Sequence, residues 1–435
     1  MNSGDTIAAV ATAPGRGGVA VVRVSGPDAW RVAERMTGRT LCDADAGRFF
    51  HCRFQSVRRD CFGRSVRCMA DSGLLLVFKG PHSYTGEDVV EFHGHGGSVA
   101  PRRVLEACFA SGARLARRGE FTERAFLNGK LDLSAAEAVI DLVDARTDRS
   151  AEDAQARLGG ELSRRYDALY SDVLDVSSRM EHALDFSEDE LPPSFDAAVK
   201  RDVDDLVSRI ARHLSTARDG KMLREGALVV LAGAPNAGKS SLLNALLGER
   251  RAIVSDRAGT TRDSIEAWME IAGWPVRLVD TAGLRTTDDV LEAEGVERAE
   301  ALIAQADVVL ALDCDLAGAI RVHAKCDLGA GLGLNVSSRT GEGLPALKAA
   351  LAERLAALAD RPDEEAGADV TTRQKAFLED AAAALRDART ALDRPDWVVA
   401  ANGLRMAAES LARLLGKVYS DDLLDALFSR FCVGK

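Results

Sequence analysis

The sequence predicts a chain of the α/β and α class. An N-terminal α/β domain is expected over residues 1–118 and a helical domain over 119–220 and 371–435, with a doubly wound α/β domain over 221–360 inserted into the helical one. Three observations predict this. β-Rich runs, Val19-Ala-Val-Val-Arg-Val24 and Leu74-Leu-Leu-Val-Phe78, stand among turn-rich segments such as Gly80-Pro-His-Ser83 and Gly94-His-Gly-Gly97. From about 121 to 217 the period becomes helical: Leu162, Tyr166, Leu169, Val173, Val176, Met180 and Leu184 recur at steps of three and four. Residues 226–355 then alternate apolar runs with helical patterns.

Each element has its own signal. Leu191-Pro-Pro-Ser194 breaks the long helix, and a second helix spans about 197–217. Ala227-Leu-Val-Val-Leu231 reads as a buried strand, Ser241 to Leu247 as a helix stopped by Gly248, and Val276 to Val279 as a further strand. An acidic helix is expected from Asp288 to Glu300, and an acidic linker from Asp360 to Gly367. Helical patterns return over 373–392, 397–415 and 421–431. The order α/β, helical, α/β, helical is why insertion is the simplest architecture.

Composition bounds the function classes. At roughly 100–200 residues per domain, 435 residues imply two to four domains. With 46% hydrophobic and 28% charged residues, overall disorder is excluded. A formal charge of −11 makes the chain a poor general binder of nucleic acid or anionic membrane. Any RNA contact needs local basic patches, for which Arg102-Arg103 and Arg114 to Arg118 are candidates. No apolar run approaches the roughly 18–20 residues of a membrane span, and Met1 to Asp5 lacks the basic start of a secretory signal. Eight scattered cysteines include no Cys-x-x-Cys pair, so reduced thiols and a cytoplasmic setting are expected. His93 and His95 have no third ligand motif and read as polar loop residues.

Gly233-Ala-Pro-Asn-Ala-Gly-Lys-Ser240 fits the phosphate-binding loop, with a strand before it and a helix after it. Backbone N–H groups of Asn236, Ala237, Gly238, Ser240 and Ser241 can close around phosphate at a helix N-terminus. Lys239 is expected to reach the β and γ phosphates, and Ser240 to bind Mg²⁺. Asp280-Thr281-Ala282-Gly283 ends a strand, which suits an Asp near Mg²⁺ through water and a Gly N–H aimed at γ-phosphate. Between them lies Ala258-Gly259-Thr260-Thr261, where Thr261 is expected to complete the Mg²⁺ shell. Three ordered motifs favour a Ras-like P-loop GTPase domain over a generic ATPase.

The base-reading motif is incomplete. GTPases carry Asn-Lys-x-Asp, whose Asp pairs with guanine; here the run is Ala324-Lys325-Cys326-Asp327. The stretch from Asp313 to Ala324 is short, with its helix reduced or missing, and Ser337-Ser338-Arg339 stands where a loop packs on the base. Leu284 follows Gly283, so no Gln is there to orient water. Asn236 stands where one GTPase group helps to hold K⁺, whose charge acts as an arginine finger does.

With these residues in hand, the chain resembles the tRNA-modification GTPase family known as MnmE or TrmE, over nearly its whole length. Asp5-Thr-Ile7, Pro14-Gly-Arg-Gly-Gly18, Arg23-Val-Ser-Gly26, Gly80 to Asp88, Gly119 to Asp132 and the closing Cys432-Val-Gly-Lys435 carry the resemblance. It implies a folate-binding, dimerising first domain, a helical domain and an inserted G domain. It further implies a homodimer that joins the FAD enzyme MnmG (GidA) in a heterotetramer. Together they install aminomethyl or carboxymethylaminomethyl groups on C5 of the tRNA wobble uridine. The carbon comes from a tetrahydrofolate, 5-formyltetrahydrofolate or methylenetetrahydrofolate being the forms in question, and GTP hydrolysis is required.

By motif, the resemblance implies that Arg23, Glu91, Lys130 and Lys435 contact folate. It puts K⁺ on Asn236, Ser255, Arg257 (through its carbonyl) and Thr260, with Asp256 in the same nucleotide-binding run. Glu292 matches a Glu that positions the attacking water, and Cys432 a thiol proposed to act in the modification. An Era- or EngA-type ribosome-assembly GTPase is the alternative. It explains residues 226–355 but leaves the first domain unused, and the sequence holds no Gly-x-x-Gly loop in a basic C-terminal domain.

Overall fold

The computed structural model describes residues 4–59, 65–184, 192, 194–248, 252–253, 266–281, 292–359, 370–394 and 396–435. Two compact units emerge, residues 1–140 with 415–435, and residues 141–414.

The first unit is built on a six-stranded sheet. Its strands are β1 (Ile7–Val10), β2 (Val19–Ser25), β3 (Phe49–Arg59), β4 (Ser65–Phe78), β5 (Val89–His95) and β6 (Arg114–Leu115). The order is β3-β4-β5-β2-β1-β6; β6 runs parallel to β1 and the other pairs are antiparallel. Alternation along β2 and β5 sets two faces. Val22, Val24, Val90 and Phe92 point to a core shared with helices α1 (Ala29–Thr37) and α2 (Ala100–Ala110). Arg23 and Glu91, cross-strand partners, take the opposite face. There Ile7 and Ala9 of β1 pack with Ala116, Tyr84 and Phe121 of α3 (Glu120–Leu127). Leu133 and Ala136, in α4 (Leu133–Asp144), close a third cluster with Leu424, Leu427 and Phe428 of the terminal helix Asp421–Phe428 and with Phe431. Ser420 caps that terminal helix by accepting from Leu423 N.

The second unit opens with α5 (Asp148–Leu158), α6 (Glu161–Ala183), α7 (Phe195–Ser215) and α8 (Ala217–Glu225). Six of the seven expected stripe residues of α6 are buried; Leu184 is its C-cap and is 41% exposed, because the turn there has already left the packed face. A seven-stranded sheet follows. It comprises β7 (Ala227–Gly233), β8 (Ala252–Ile253), β9 (Glu266–Ile271), β10 (Trp274–Asp280), β11 (Val308–Leu312), β12 (Ile320–His323) and β13 (Leu334–Asn335), in the order β13-β12-β11-β7-β10-β9-β8. β7 lies between β10 and β11, parallel to both. Helices α9 (Lys239–Leu247), α10 (Glu292–Gln305) and α11 (Leu344–Leu358) alternate with these strands. Finally α12 (Thr372–Asp393), opened by a Thr371–Gln374 capping box, and α13 (Trp397–Leu414) pack on α7 and α6 respectively.

The expected Gly248 stop differs in its geometry. Gly248 ends α9 with φ −68°, donating its N–H to the Asn244 carbonyl, so no left-handed residue is needed there. No helix among the described residues is long and apolar enough to cross a membrane.

Candidate functional site

The strand order creates a switch point at β7, where the connections leave to opposite sides; ligands of such sheets bind at the carboxyl ends of these strands. The sequence turns at that place from β7 into 233–238 and then into α9. Asn236 holds a left-handed φ of 63°, and Gly238 has φ 98° as the N-cap of α9. The first-turn N–H groups of α9 therefore head a helix N-terminus suited to phosphate. Lys239 is 5% exposed, and its Nζ donates to the Gly233 and Ala234 carbonyls, 2.8 Å each, across the loop that it closes. Ser240 Oγ donates to Asp280 Oδ2, and Asp280 is fully buried at the end of β10. A hydroxyl and a carboxylate converging beside a helix N-terminus are the hard oxygen donors that Mg²⁺ takes, so the residues fit that ion. Thr281 Oγ1 anchors on the Leu231 carbonyl at 2.9 Å.

The base loop joins this site from β12. Lys325 Nζ donates to the Asn236 carbonyl at 2.8 Å, tying it to the phosphate loop. Asp327 accepts from Ser337 Oγ at 2.9 Å on one oxygen and from Arg339 Nε at 3.0 Å on the other. The Ser337 hydrogen bond, with the residue's own backbone N–H and then the Arg339 charge, outweighs burial and holds the Asp327 carboxyl below its usual range. Residues 313–319, between β11 and β12, contain no helix. Asn236, Ala237, Gly238, Lys239, Ser240, Ser241, Asp280, Thr281, Lys325, Asp327, Ser337, Ser338 and Arg339 thus belong to one sheet edge and its loops. Ser255, Asp256, Arg257, Ala258, Gly259, Thr260, Thr261, Ala282 and Gly283 lie outside the described residues. Glu292 is the first residue of α10.

The first unit holds a second arrangement. Arg23 Nε donates to Glu91 Oε1 at 2.8 Å, and the guanidinium carbon lies 5.0 Å from the Tyr84 ring centroid and 5.7 Å from that of Phe121. His93 Nε2 meets Glu91 Oε2 at 2.9 Å. Burial pushes the Glu91 carboxyl up, but His93 and Arg23 outweigh it and hold the group below its usual value. A cation and a carboxylate beside two aromatic rings suit a flat heteroaromatic ligand with N–H donors and an acidic tail. Tyr84 and Phe121, within the runs Gly80 to Asp88 and Gly119 to Asp132, and His93 join this pair with no sequence signal of their own. His93 and His95 are strand residues of β5, not loop residues; His95 Nδ1 pairs with Asp71 at 2.7 Å.

Lys130 Nζ donates to the Pro81 carbonyl at 3.0 Å. The chain end bridges Arg118 at Val433, and the Cys432 carbonyl accepts from Gly119 N. Gly434 lies against Val10 and Ala11, next to Ala9, the cross-strand partner of Arg23. The tail carrying Cys432 and Lys435 therefore ends beside the Arg23 strand pair. Gly434 has φ 101°, and an added Cβ would collide with the Val10 carbonyl. Gly434→Ala is expected to cost about 1–3 kcal/mol. Thermal melting beside carboxypeptidase trimming checks this, and an unchanged melt with unchanged trimming would show that the tail tolerates displacement. The basic patches are largely engaged: Arg114 and Arg117 pair with Glu120 and Glu123, and Arg118 Nε donates to the Phe431 carbonyl.

Comparison with known proteins covers the whole chain. A model of the MnmE helical domain matches residues 133–432, and one of the GTP-binding protein TrmE N-terminus matches residues 6–130. The chain is 42% identical over 464 residues to a tRNA modification GTPase MnmE of Symbiobacterium thermophilum, with 99% of each chain covered. It is 42% identical over 457 residues to the protein of that name from Neisseria meningitidis serogroup C, again with 99% of each covered. With the one from Nitrosomonas eutropha the identity is 39% over 463 residues and all of both chains.

Proposed function

The chain belongs to the MnmE family of tRNA modification GTPases, and from that membership we propose how its two sites divide the work. It is a GTP hydrolase acting in tRNA modification. The observation that carries the reading is the convergence of Lys239, the Ser240–Asp280 pair and Asp327 on the edge of one doubly wound sheet.

GTP binds with its phosphates on the loop 233–241 and its base on Lys325, Asp327 and the loop 337–339. Lys239 gives its two carbonyl partners up for phosphate oxygens. Ser240 and Thr261 would hold Mg²⁺, and Asn236, Ser255, Arg257 and Thr260 would hold K⁺. When bound, the two cations supply positive charge against the phosphoryl oxygens. Glu292, at the start of α10, orients the attacking water, a role that Leu284 has no group to fill. In the first unit, Glu91, held by Arg23, would accept pterin N–H groups, and Lys130 and Lys435 would take the folate carboxylates. When bound, the folate would supply the one-carbon unit, and Cys432 on the tail would offer a thiol to that chemistry.

Residues 1–118, 119–220 with 371–435, and 221–360 act as the folate, helical and G domains. The protein works in the cytoplasm as a homodimer with MnmG, on C5 of the wobble uridine of tRNA. With GTP and K⁺ bound, two G domains would come together, and the helical domain would couple that change to folate chemistry.

The test is GTP turnover in KCl against NaCl, with Asn236→Ala and Glu292→Ala alongside. K⁺ is expected to raise turnover by at least about tenfold, worth roughly 1.4 kcal/mol of barrier, and both variants are expected to lose that gain. Equal turnover in the two salts would remove the cation from the mechanism and leave Asn236 as a turn residue.

A further inference from the structure

Position 324 carries a methyl group where a guanine-reading loop would ordinarily carry an amide. Ala324 is 3% exposed and faces the phosphate loop: a Cβ added at Gly238 would lie 3.5 Å from the Ala324 Cβ. A methyl can neither tether the two loops nor accept or donate a hydrogen bond, so one of the fixed points that orient the base-reading Asp is missing. Two other contacts do that work. Lys325 tethers the loop to the Asn236 carbonyl, and Arg339 reaches across from the next loop to Asp327 Oδ2 at 3.0 Å.

We infer that Arg339 is the positioning residue that gives this chain its guanine preference in the absence of an amide at position 324. The inference rests on Asp327 being the guanine-reading group. A carboxylate offers about four lone-pair sites on its two oxygens. Ser337 Oγ takes one site on Oδ1, and Arg339 Nε takes one on Oδ2. The backbone N–H of Asp327 itself also leans on the carboxylate, which still keeps acceptor capacity for a ligand. Guanine presents two donors in a row, its ring N1–H and its 2-amino N–H. The two side-chain donors, one on each oxygen, thus fix the plane in which the carboxylate meets this edge. Adenine has no such pair of donors, and hypoxanthine keeps N1–H but lacks the 2-amino group. In the same loop Ser338 Oγ is buried with no partner among the described residues, so its hydroxyl is open to a ligand.

Arg339 is 77% exposed, so its replacement leaves the fold intact. Equilibrium binding of GDP, IDP and ADP to the full chain, to Arg339→Ala and to Arg339→Lys provides the test. The unsubstituted chain is expected to bind GDP at least about tenfold tighter than IDP, the effect of one hydrogen bond to a charged group, and ADP weakest. Arg339→Ala is expected to weaken GDP about tenfold and IDP less than about threefold, so the GDP/IDP ratio collapses. Arg339→Lys keeps the charge but not the planar fork and should recover only part of the ratio. A merely structural Arg339 would weaken GDP and IDP by one factor, and an unchanged ratio overturns the inference while guanine reading stands. If the unsubstituted chain binds ADP as tightly as GDP, Asp327 is not the base reader and both readings fall.

Discussion

Lys239→Ala is expected to lower the kcat of GTP hydrolysis by about 10²–10³-fold with little change in melting temperature, the cost of removing one preorganised donor from a developing oxyanion. The physical reason is in the resting geometry. The ammonium is almost fully buried, and two of its donors are turned to the backbone carbonyls of Gly233 and Ala234. Carbonyl dipoles satisfy its protons but carry no net charge. A triphosphate brings net negative charge to this place, and the charge gained on the transferring group in the transition state meets a cation already in position. The same argument separates Lys239 from Ser240. Ser240→Ala removes a hydroxyl that donates to buried Asp280 and leaves that carboxylate without this donor, so its effect should follow Mg²⁺ concentration; that of Lys239→Ala should not. Steady-state turnover across a Mg²⁺ titration distinguishes them. A Lys239→Ala chain that hydrolyses GTP within a few-fold of the parent would remove Lys239 from the machinery.

The phosphate loop was legible because its chemistry is local. Eight consecutive residues, Gly233 to Ser240, fix strand end, turn and helix start, and no distant contact is needed to read them. The Arg23–Glu91 pair is the opposite case. It spans 68 residues and exists only because β2 and β5 take a register that sets the two opposite each other. The aromatic platform needed more still, since Tyr84 and Phe121 come from a loop and a helix that meet over Ile7 and Ala9. Several elements of the first unit were too short or too mixed to read: β1 has four residues, and β3 interleaves His51 and Arg53 with Phe50, Cys52 and Phe54. In the second unit the tryptophans Trp268 and Trp274 carry no motif. Even so, the guanidinium carbons of Arg146 and Arg149 lie 4.0 Å from their ring centroids, a packing that only the folded chain reveals.

The largest stability effect is expected at Arg124. This guanidinium is 9% exposed and joins Asp5, Glu87 and Glu120 at 2.7, 3.1 and 3.1 Å. Removing one partner from a buried ion network leaves the others uncompensated, at a cost of about 3–5 kcal/mol. Arg124→Ala is therefore expected to destabilise the first unit by that amount, a large share of the roughly 5–15 kcal/mol that holds a typical domain folded. Arg124→Lys should recover only part, because one ammonium cannot span three acceptors in fork geometry.

The network also sets a pH signature. Burial pushes the Glu120 carboxyl up, but hydrogen bonds from Arg114, Arg117 N and Arg124 outweigh it and lower the group to about 2. A depressed folded value means that the stabilisation is complete above the unfolded value near 4.5 and is lost as pH falls from there toward about 2. Asp5 follows the same sign, its Arg114 hydrogen bond holding it low. Glu123 opposes them: burial raises its carboxyl, so protonation of that group favours the folded form. Denaturant unfolding between pH 5 and about 2 should show falling stability in the parent and a flatter profile in Arg124→Ala. The same helix bears Phe121 beneath Arg23, and Thr122, whose hydroxyl meets Tyr84 Oη at 2.9 Å. Loosening α3 should therefore weaken binding of a tetrahydrofolate analogue while GTP turnover by the second unit persists. A loss below about 1 kcal/mol, with the acid profile unchanged, would mean that the carboxylates rearrange onto Arg114 and that Arg124 is dispensable.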